Sequence, residues 1–359
     1  MKKIFFQTGS QGNENNNIFK KDLNLASAKW IDLKNKLNAI GYDFVTADHN
    51  GLKDCERIIF LDALSLFKNL TFRQKAKNAA RKLFGIKIFP PYPTRDLYGE
   101  ALKAGMRDKM YIILWEAGAV CADNFLQSTF DKFDHILTWN DDLVAKDKKF
   151  IRFYQAMEPW EVVKNPIPFK EKKLLVNISF NKYSNYKNEL YSARKKTSIY
   201  FNDNYPNDFD LYGPRWNKPV TRLQLMFPKI LVKNFKTYRG ITDNKIMTMS
   251  RYKFCVSYDN ISDAKGYMAD RIFCAFQSKS VPIYWGAPDI NKYVDRDTFI
   301  DRREFKSEAE MAKFLISMEE DEYNKYLSAA DRYMQSEKYY LYSNENFSNT
   351  IINALKLKN

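Results

Sequence analysis

The sequence predicts an α/β protein built on two doubly wound parallel sheets. Three observations carry this expectation. Apolar runs of strand length alternate with helical stretches along most of the 359 residues. The chain is long enough for two domains of ordinary size, and its hydrophobic fraction of 45% can fill two cores. The alternation pauses at a proline-rich stretch, PWEVVKNPIPFKEKK (159–173), and then restarts.

IFF (4–6) opens the first sheet. ASAKWIDLKNKLNAIG (26–41) has helical spacing and ends on Gly41, which suits a helix C-terminus. DFVTAD (43–48), RIIFLDAL (57–64), MYIILWEAG (110–118) and DHILTWND (134–141) read as the next strands. These make a first domain over 1–165. LLVNISF (174–180) restarts the pattern, a helix follows over NYKNELYSARKKTSIYFND, and DFDLYG (208–213) is a strand entering a glycine turn. KIMTMS, RYKFCVSYDN (251–260), GYMADRIFCAF (266–276), SVPIYWG (280–286) and a charged helical stretch at 307–335 complete a second domain, 170–340. Residues 341–359 remain as a tail. Two Rossmann-like domains facing a cleft is the resulting architecture.

Composition narrows the function. A net charge of +15 asks for an anionic partner: nucleic acid, a phosphorylated small molecule or an acidic membrane surface. Cys55, Cys121, Cys255 and Cys274 lie far apart inside apolar runs and form no Cys-x-x-Cys pair, so they read as reduced, buried thiols in a cytosolic protein. Two histidines, His49 and His135, are too few for a histidine-based zinc site. MKKIFFQTGSQG turns polar too early for a signal peptide, and no apolar run has the length of a membrane span, so a cytoplasmic location is expected. No zinc-finger, RNA-recognition or helix-turn-helix signature appears, which argues against nucleic acid.

In GYMADRIFCAFQSKSVPIYWGAP (266–288), Met268, Ile272, Phe273, Ala275 and Phe276 recur at helical spacing and turn inward. Asp270 and Arg271 are left at the mouth. An arginine there can grip phosphate with two hydrogen bonds, and a carboxylate can accept two from a sugar diol. The pair suits a nucleoside diphosphate. A surface Asp–Arg pair is the structural alternative.

The segment RYKFCVSYDN…GYMADRIFCAFQSKSVPIYWGAPDI resembles the signature of the α-1,3/1,4-fucosyltransferases, glycosyltransferase family 10, of bacterial type. The likeness runs on through TFIDRREFKSEAEMAKFL (298–315). It is dense over 208–315 and thin before 110. This resemblance implies the two-domain glycosyltransferase-B arrangement, with GDP-fucose held by the C-terminal domain and the acceptor by the N-terminal domain. It places the family's donor-gripping Glu-Lys pair on Asp270 and Arg271, both charge-preserving departures. It also places donor contacts on Tyr258, Asp259, Asn260 and Tyr267. A second phosphate-binding basic residue should follow the Tyr-Gly turn, where Arg215 is nearest.

Transfer with inversion needs a carboxylate to take the acceptor hydroxyl's proton. Glu116, a lone acid behind Trp115 at the end of a strand, meets that condition, and in the family the equivalent strand ends in the proposed catalytic glutamate. Asp141 and Asp142 are the alternatives. No metal or other cofactor is required, because the Asp-x-Asp pairs at 208–210 and 295–297 are expected by chance among 43 acids. The function implied is transfer of L-fucose, or a related sugar, from a GDP-sugar to an oligosaccharide or lipid-linked glycan. An α-1,3 linkage in lipopolysaccharide or O-antigen synthesis is expected. An inactive relative that binds a GDP-sugar as a partner protein is the alternative, followed by a nucleic-acid-binding protein.

One stretch stands outside this pattern. KNLTFRQKAKNAARKLFGIKIFPPYP (68–93) has seven basic residues and no acid, with an imperfect apolar face. It could lie on an anionic bilayer and make the enzyme peripheral to the inner membrane's cytoplasmic face.

Overall fold

A computed structural model describes residues 2–9, 11–20, 27–48, 51–67 and 95–357. The chain forms two compact units, Met1–Pro159 with Tyr342–Asn359, and Trp160–Leu341. Each carries one all-parallel sheet, so the α/β expectation with two such sheets is borne out.

The first unit holds β1 (Lys2–Gln7), α1 (Ala28–Ala39), β2 (Tyr42–Thr46), β3 (Cys55–Leu61) and α2 (Leu97–Lys103). After these come β4 (Met110–Leu114), β5 (His135–Thr138), α3 (Asp141–Lys146) and β6 (Phe150–Arg152). The sheet order is β2-β1-β3-β4-β5-β6. All five residues of β4 are buried, as a strand covered on both faces requires, which explains the uninterrupted apolar run MYIIL. The helix Asn344–Leu355 also belongs to this unit. Its Phe347 is fully buried and meets Trp30 edge-on, with ring centroids 5.3 Å apart, and Trp115 at 5.9 Å.

The second unit begins with β7 (Lys173–Ile178), α4 (Tyr191–Asn204) and β8 (Phe209–Tyr212). Three short helices follow: α5 (Arg222–Met226), α6 (Pro228–Leu231) and α7 (Lys245–Met249). Next are β9 (Tyr252–Tyr258), α8 (Arg271–Gln277), β10 (Val281–Trp285), β11 (Ile300–Asp301), α9 (Glu308–Ser317) and α10 (Glu320–Met334). The sheet order is β11-β10-β9-β7-β8. From β7 the chain crosses to β8 on one side, and from β9 it crosses to β10 on the other. The neighbours β7 and β9 therefore send their connections apart, and this divergence opens a crevice at their C-terminal ends. Its core includes Leu175, Phe254, Val256, Ile283 and Met311.

The charged helical stretch at 307–335 forms two helices, because backbone at Met318 and Glu319 is extended between α9 and α10. The four cysteines are buried free thiols. No helix among the described residues is long and apolar enough to cross a membrane. The basic stretch 68–93 lies outside the described residues.

Candidate functional site

In the second unit, a cavity of about 280 Å³ lies over the C-terminal ends of β7 and β8, beside α7 and the start of α8. Ile178, Gly213, Thr242, Lys245, Asp270 and Arg271 are among its lining residues. Gly213 is required there: its φ is +116°, and a Cβ would stand 2.1 Å from the carbonyl oxygen of Ser179. The turn after β8 can thus pass close over the end of β7.

Asp270 sits at the N-cap position of α8, its side chain not bonded to the helix N–H groups, and Arg271 is the first residue of the helix. Arg271 Nη1 donates to the Ile178 carbonyl at 2.9 Å, which fixes the guanidinium at the end of β7. Asp270 is ion-paired with Lys245 of α7, whose own start is capped by Asn244 accepting from the Met247 N–H at 3.0 Å. Burial pushes the Asp270 carboxyl up. The charge and hydrogen bond of Lys245, helped by Arg271 and Cys274, outweigh this and hold it below the usual carboxylate range. Asp270 therefore stays ionised and able to accept hydrogen bonds, beside two cations. An anion that also carries hydroxyl groups fits this lining.

Tyr258, Asp259, Asn260 and Tyr267 stand behind that wall rather than on it. Tyr258 and Asp259 are 0% exposed. The buried Arg194 of α4 donates to the carbonyl of Tyr258 at 2.7 Å, to that of Asp259 at 2.5 Å and to Asn260 Oδ1 at 3.1 Å. Asn260 Nδ2 donates to the Tyr267 hydroxyl at 2.9 Å. Asp259 accepts from the Ala269 N–H at 3.1 Å, one residue before Asp270, and from the Tyr284 hydroxyl at 2.7 Å. Gly286 of the Tyr-Trp-Gly turn leaves room for this carboxyl: a Cβ there would lie 2.2 Å from Asp259 Oδ2. The network orients Asp270 and Arg271 from below. Arg215, exposed at φ +69°, donates to the Pro219 carbonyl at 2.7 Å and is not part of the cavity lining.

The sequence reading missed Lys245 and Arg194. A lysine directly after the capping Asn244 was a usable signal for the first. Arg194 sits in a run of basic residues, ARKK, where nothing local separates the buried cation from the solvated ones.

In the first unit, Glu116 follows β4 and is half-buried. Its backbone is held at both ends. The Glu116 N–H donates to Asp62 Oδ1 at 2.9 Å, and its carbonyl accepts from Asn124 Nδ2 at 2.9 Å. Asp62 Oδ1 also accepts from the Trp115 N–H at 2.6 Å and from Asn124 at 2.7 Å. Trp115 is packed between Trp30, Phe153 and Phe347. Asp141 is ion-paired with Arg152, whereas Asp142 is exposed on the first turn of α3. Among the described residues no three His, Cys, Asp or Glu converge as a metal site.

Two buried carboxyls carry a pH consequence. Burial raises both Asp62 and Asp259 to about 7, although hydrogen bonds to each pull the other way. The unfolded chain releases these protons near 3.8, so the folded state binds more protons between about 4 and 7. Each group's contribution therefore falls as pH rises through that window, and levels off above it. Thermal melts of Asp259→Asn should show a smaller loss of stability between pH 4 and pH 7 than the parent protein. Parallel pH curves for the two proteins would show that Asp259 does not take up a proton on folding.

A family model described as glycosyltransferase family 10 (fucosyltransferase) C-term matches residues 220–353. An alpha-(1,4)-fucosyltransferase from Arabidopsis thaliana is 33% identical over 79 residues, which is 22% of this chain and 20% of that protein. The alpha-(1,3)-fucosyltransferase FucT of Helicobacter pylori is 34% identical over 64 residues, 18% of this chain and 13% of the relative. These matches thus span a fifth of the curated relatives' length or less. A crystal structure described as alpha1,3-fucosyltransferase with GDP-fucose shares the fold, with a TM-score of 0.54 at 13% identity over 99% of this chain and 91% of that one. The resemblance read from the sequence is therefore borne out over residues 220–353, the segment similar to the fucosyltransferase C-terminal domain of glycosyltransferase family 10.

Proposed function

We propose that this protein is an inverting glycosyltransferase that moves L-fucose, or a closely related sugar, from a GDP-sugar to a hydroxyl of a glycan acceptor. The observation that carries this reading is the cavity over the ends of β7 and β8, whose edge residues Asp270 and Arg271 lie in the segment that matches the fucosyltransferase model. In this reading Arg271 and Lys245 offset the diphosphate charge, and the ionised Asp270 accepts hydrogen bonds from the ribose diol. Tyr258, Asp259, Asn260 and Tyr267 support the two donor-facing residues. Arg215 would reach a phosphate only by turning from the Pro219 carbonyl.

Glu116 is proposed as the base. It takes the acceptor hydroxyl's proton while the oxygen attacks the anomeric carbon. The bond from that carbon to the phosphate oxygen breaks, and GDP leaves with the electron pair. The finer reading is an α-1,3 linkage on a lipopolysaccharide or O-antigen glycan at the cytoplasmic face of the inner membrane. The name of the Helicobacter pylori relative supports the linkage.

The test is NMR of the purified protein incubated with GDP-fucose and a set of oligosaccharide acceptors. The expected result is GDP release together with a new α-anomeric fucosyl signal. A donor left intact, or a product that keeps the donor's β configuration, would contradict the proposal.

A further inference from the structure

Helices α5 and α6 invert the usual order of an amphipathic element. Their buried side chain is polar: Gln224 is 8% exposed. Its Oε1 accepts from the N–H groups of Val220 at 3.0 Å and Thr221 at 3.2 Å, and its Nε2 donates to the Leu231 carbonyl at 3.2 Å. One glutamine thus ties the two helices together. The apolar side chains point the other way, with Leu223 58%, Leu225 67%, Met226 70%, Phe227 49% and Ile230 81% exposed.

This face is held in place by what surrounds it. Trp216 before it and Phe235 after it are both buried, with ring centroids 5.5 Å apart, and belong to the second unit's core. Thr221 and Gln224 close a capping box at the start of α5.

The surrounding charge has one sign. Residues 215–239 contain seven basic residues and no acid. Lys233 and Arg239 are committed to Asp203 and Asp210. Lys218, Arg222, Lys229 and Lys236 are exposed and form no ion pair among the described residues. A contiguous apolar face in water is unfavourable and marks a docking site. Its occupant must be apolar at the centre and anionic around it. A second copy of the face would set like charges against each other, and a nucleic acid would leave the aliphatic side chains in water. A bilayer of anionic lipids meets both demands.

The geometry points to α5 and α6 as a membrane-docking element. Leu225, Met226 and Ile230 enter the boundary between headgroups and acyl chains, and Lys218, Arg222, Lys229 and Lys236 lie against lipid phosphates. This surface is distinct from the stretch 68–93 and does not depend on the donor reading.

The test places a fluorophore on the face itself. The four native cysteines are buried, so Ile230→Cys in the full chain labels selectively with an environment-sensitive dye. Titration with phosphatidylglycerol-rich vesicles should shift the emission to the blue. The shift should be absent with phosphatidylcholine vesicles and weakened by high salt. In co-sedimentation, Leu225→Ser with Met226→Ser should raise the lipid concentration for half-binding by at least about tenfold, with an unchanged thermal melt. Vesicle binding without a dye response would overturn the inference, because another segment would then make the contact. So would an absence of vesicle binding, a blue shift that grows with protein concentration without lipid, or a dye response to DNA alone.

Discussion

Glu116→Gln is expected to lower kcat by about 10²–10⁴-fold while leaving GDP affinity unchanged. Glutamine keeps the size of the side chain and loses only the ability to take a proton. The backbone at this position is fixed independently of the side chain, by Asp62 through the amide and Asn124 through the carbonyl. The variant should therefore fold, and a fall in turnover can be assigned to chemistry. A stopped assay of GDP release from GDP-fucose, run beside a GDP titration, separates the two quantities. Near-normal kcat would remove Glu116 from the role. The role would then pass to Asp141, Asp142 or another residue.

Much of this arrangement could be read from the chain alone. Central strands such as β4 are buried on both faces, so their apolar runs were unbroken. Asp270 and Arg271 were visible because an adjacent acid and base interrupted an apolar helix pattern, and because the surrounding residues resemble a known signature. Three features were hidden, each for a physical reason. The return of the helix Asn344–Leu355 to the first unit depends on Phe347 finding an aromatic cluster assembled from distant residues. The placement of Asp259 behind the cavity wall goes with its complete burial, which its sequence context did not show. Lys245 and Asp270 lie 25 positions apart in the sequence, so neither residue's local pattern announced the pair. The face formed by α5 and α6 was missed because its apolar residues look like core. In the fold they face outward and Gln224 is buried in their place.

Arg271 is the residue on which the proposed donor binding rests most. Its guanidinium edges the cavity and is held by one hydrogen bond to a neutral carbonyl, that of Ile178. Loss of a charge-assisted hydrogen bond to phosphate costs about 1.5–3 kcal/mol, which corresponds to about ten- to a hundredfold in affinity. Lysine keeps the charge but not the planar fork, so it should restore part of the loss. The most direct measurement is calorimetric titration of GDP into the parent protein, Arg271→Ala and Arg271→Lys, each checked by thermal melt. Binding by the parent protein is expected, with an about ten- to hundredfold weaker affinity for the alanine variant and an intermediate value for lysine. A folded Arg271→Ala protein that binds GDP as tightly as its parent would contradict that expectation.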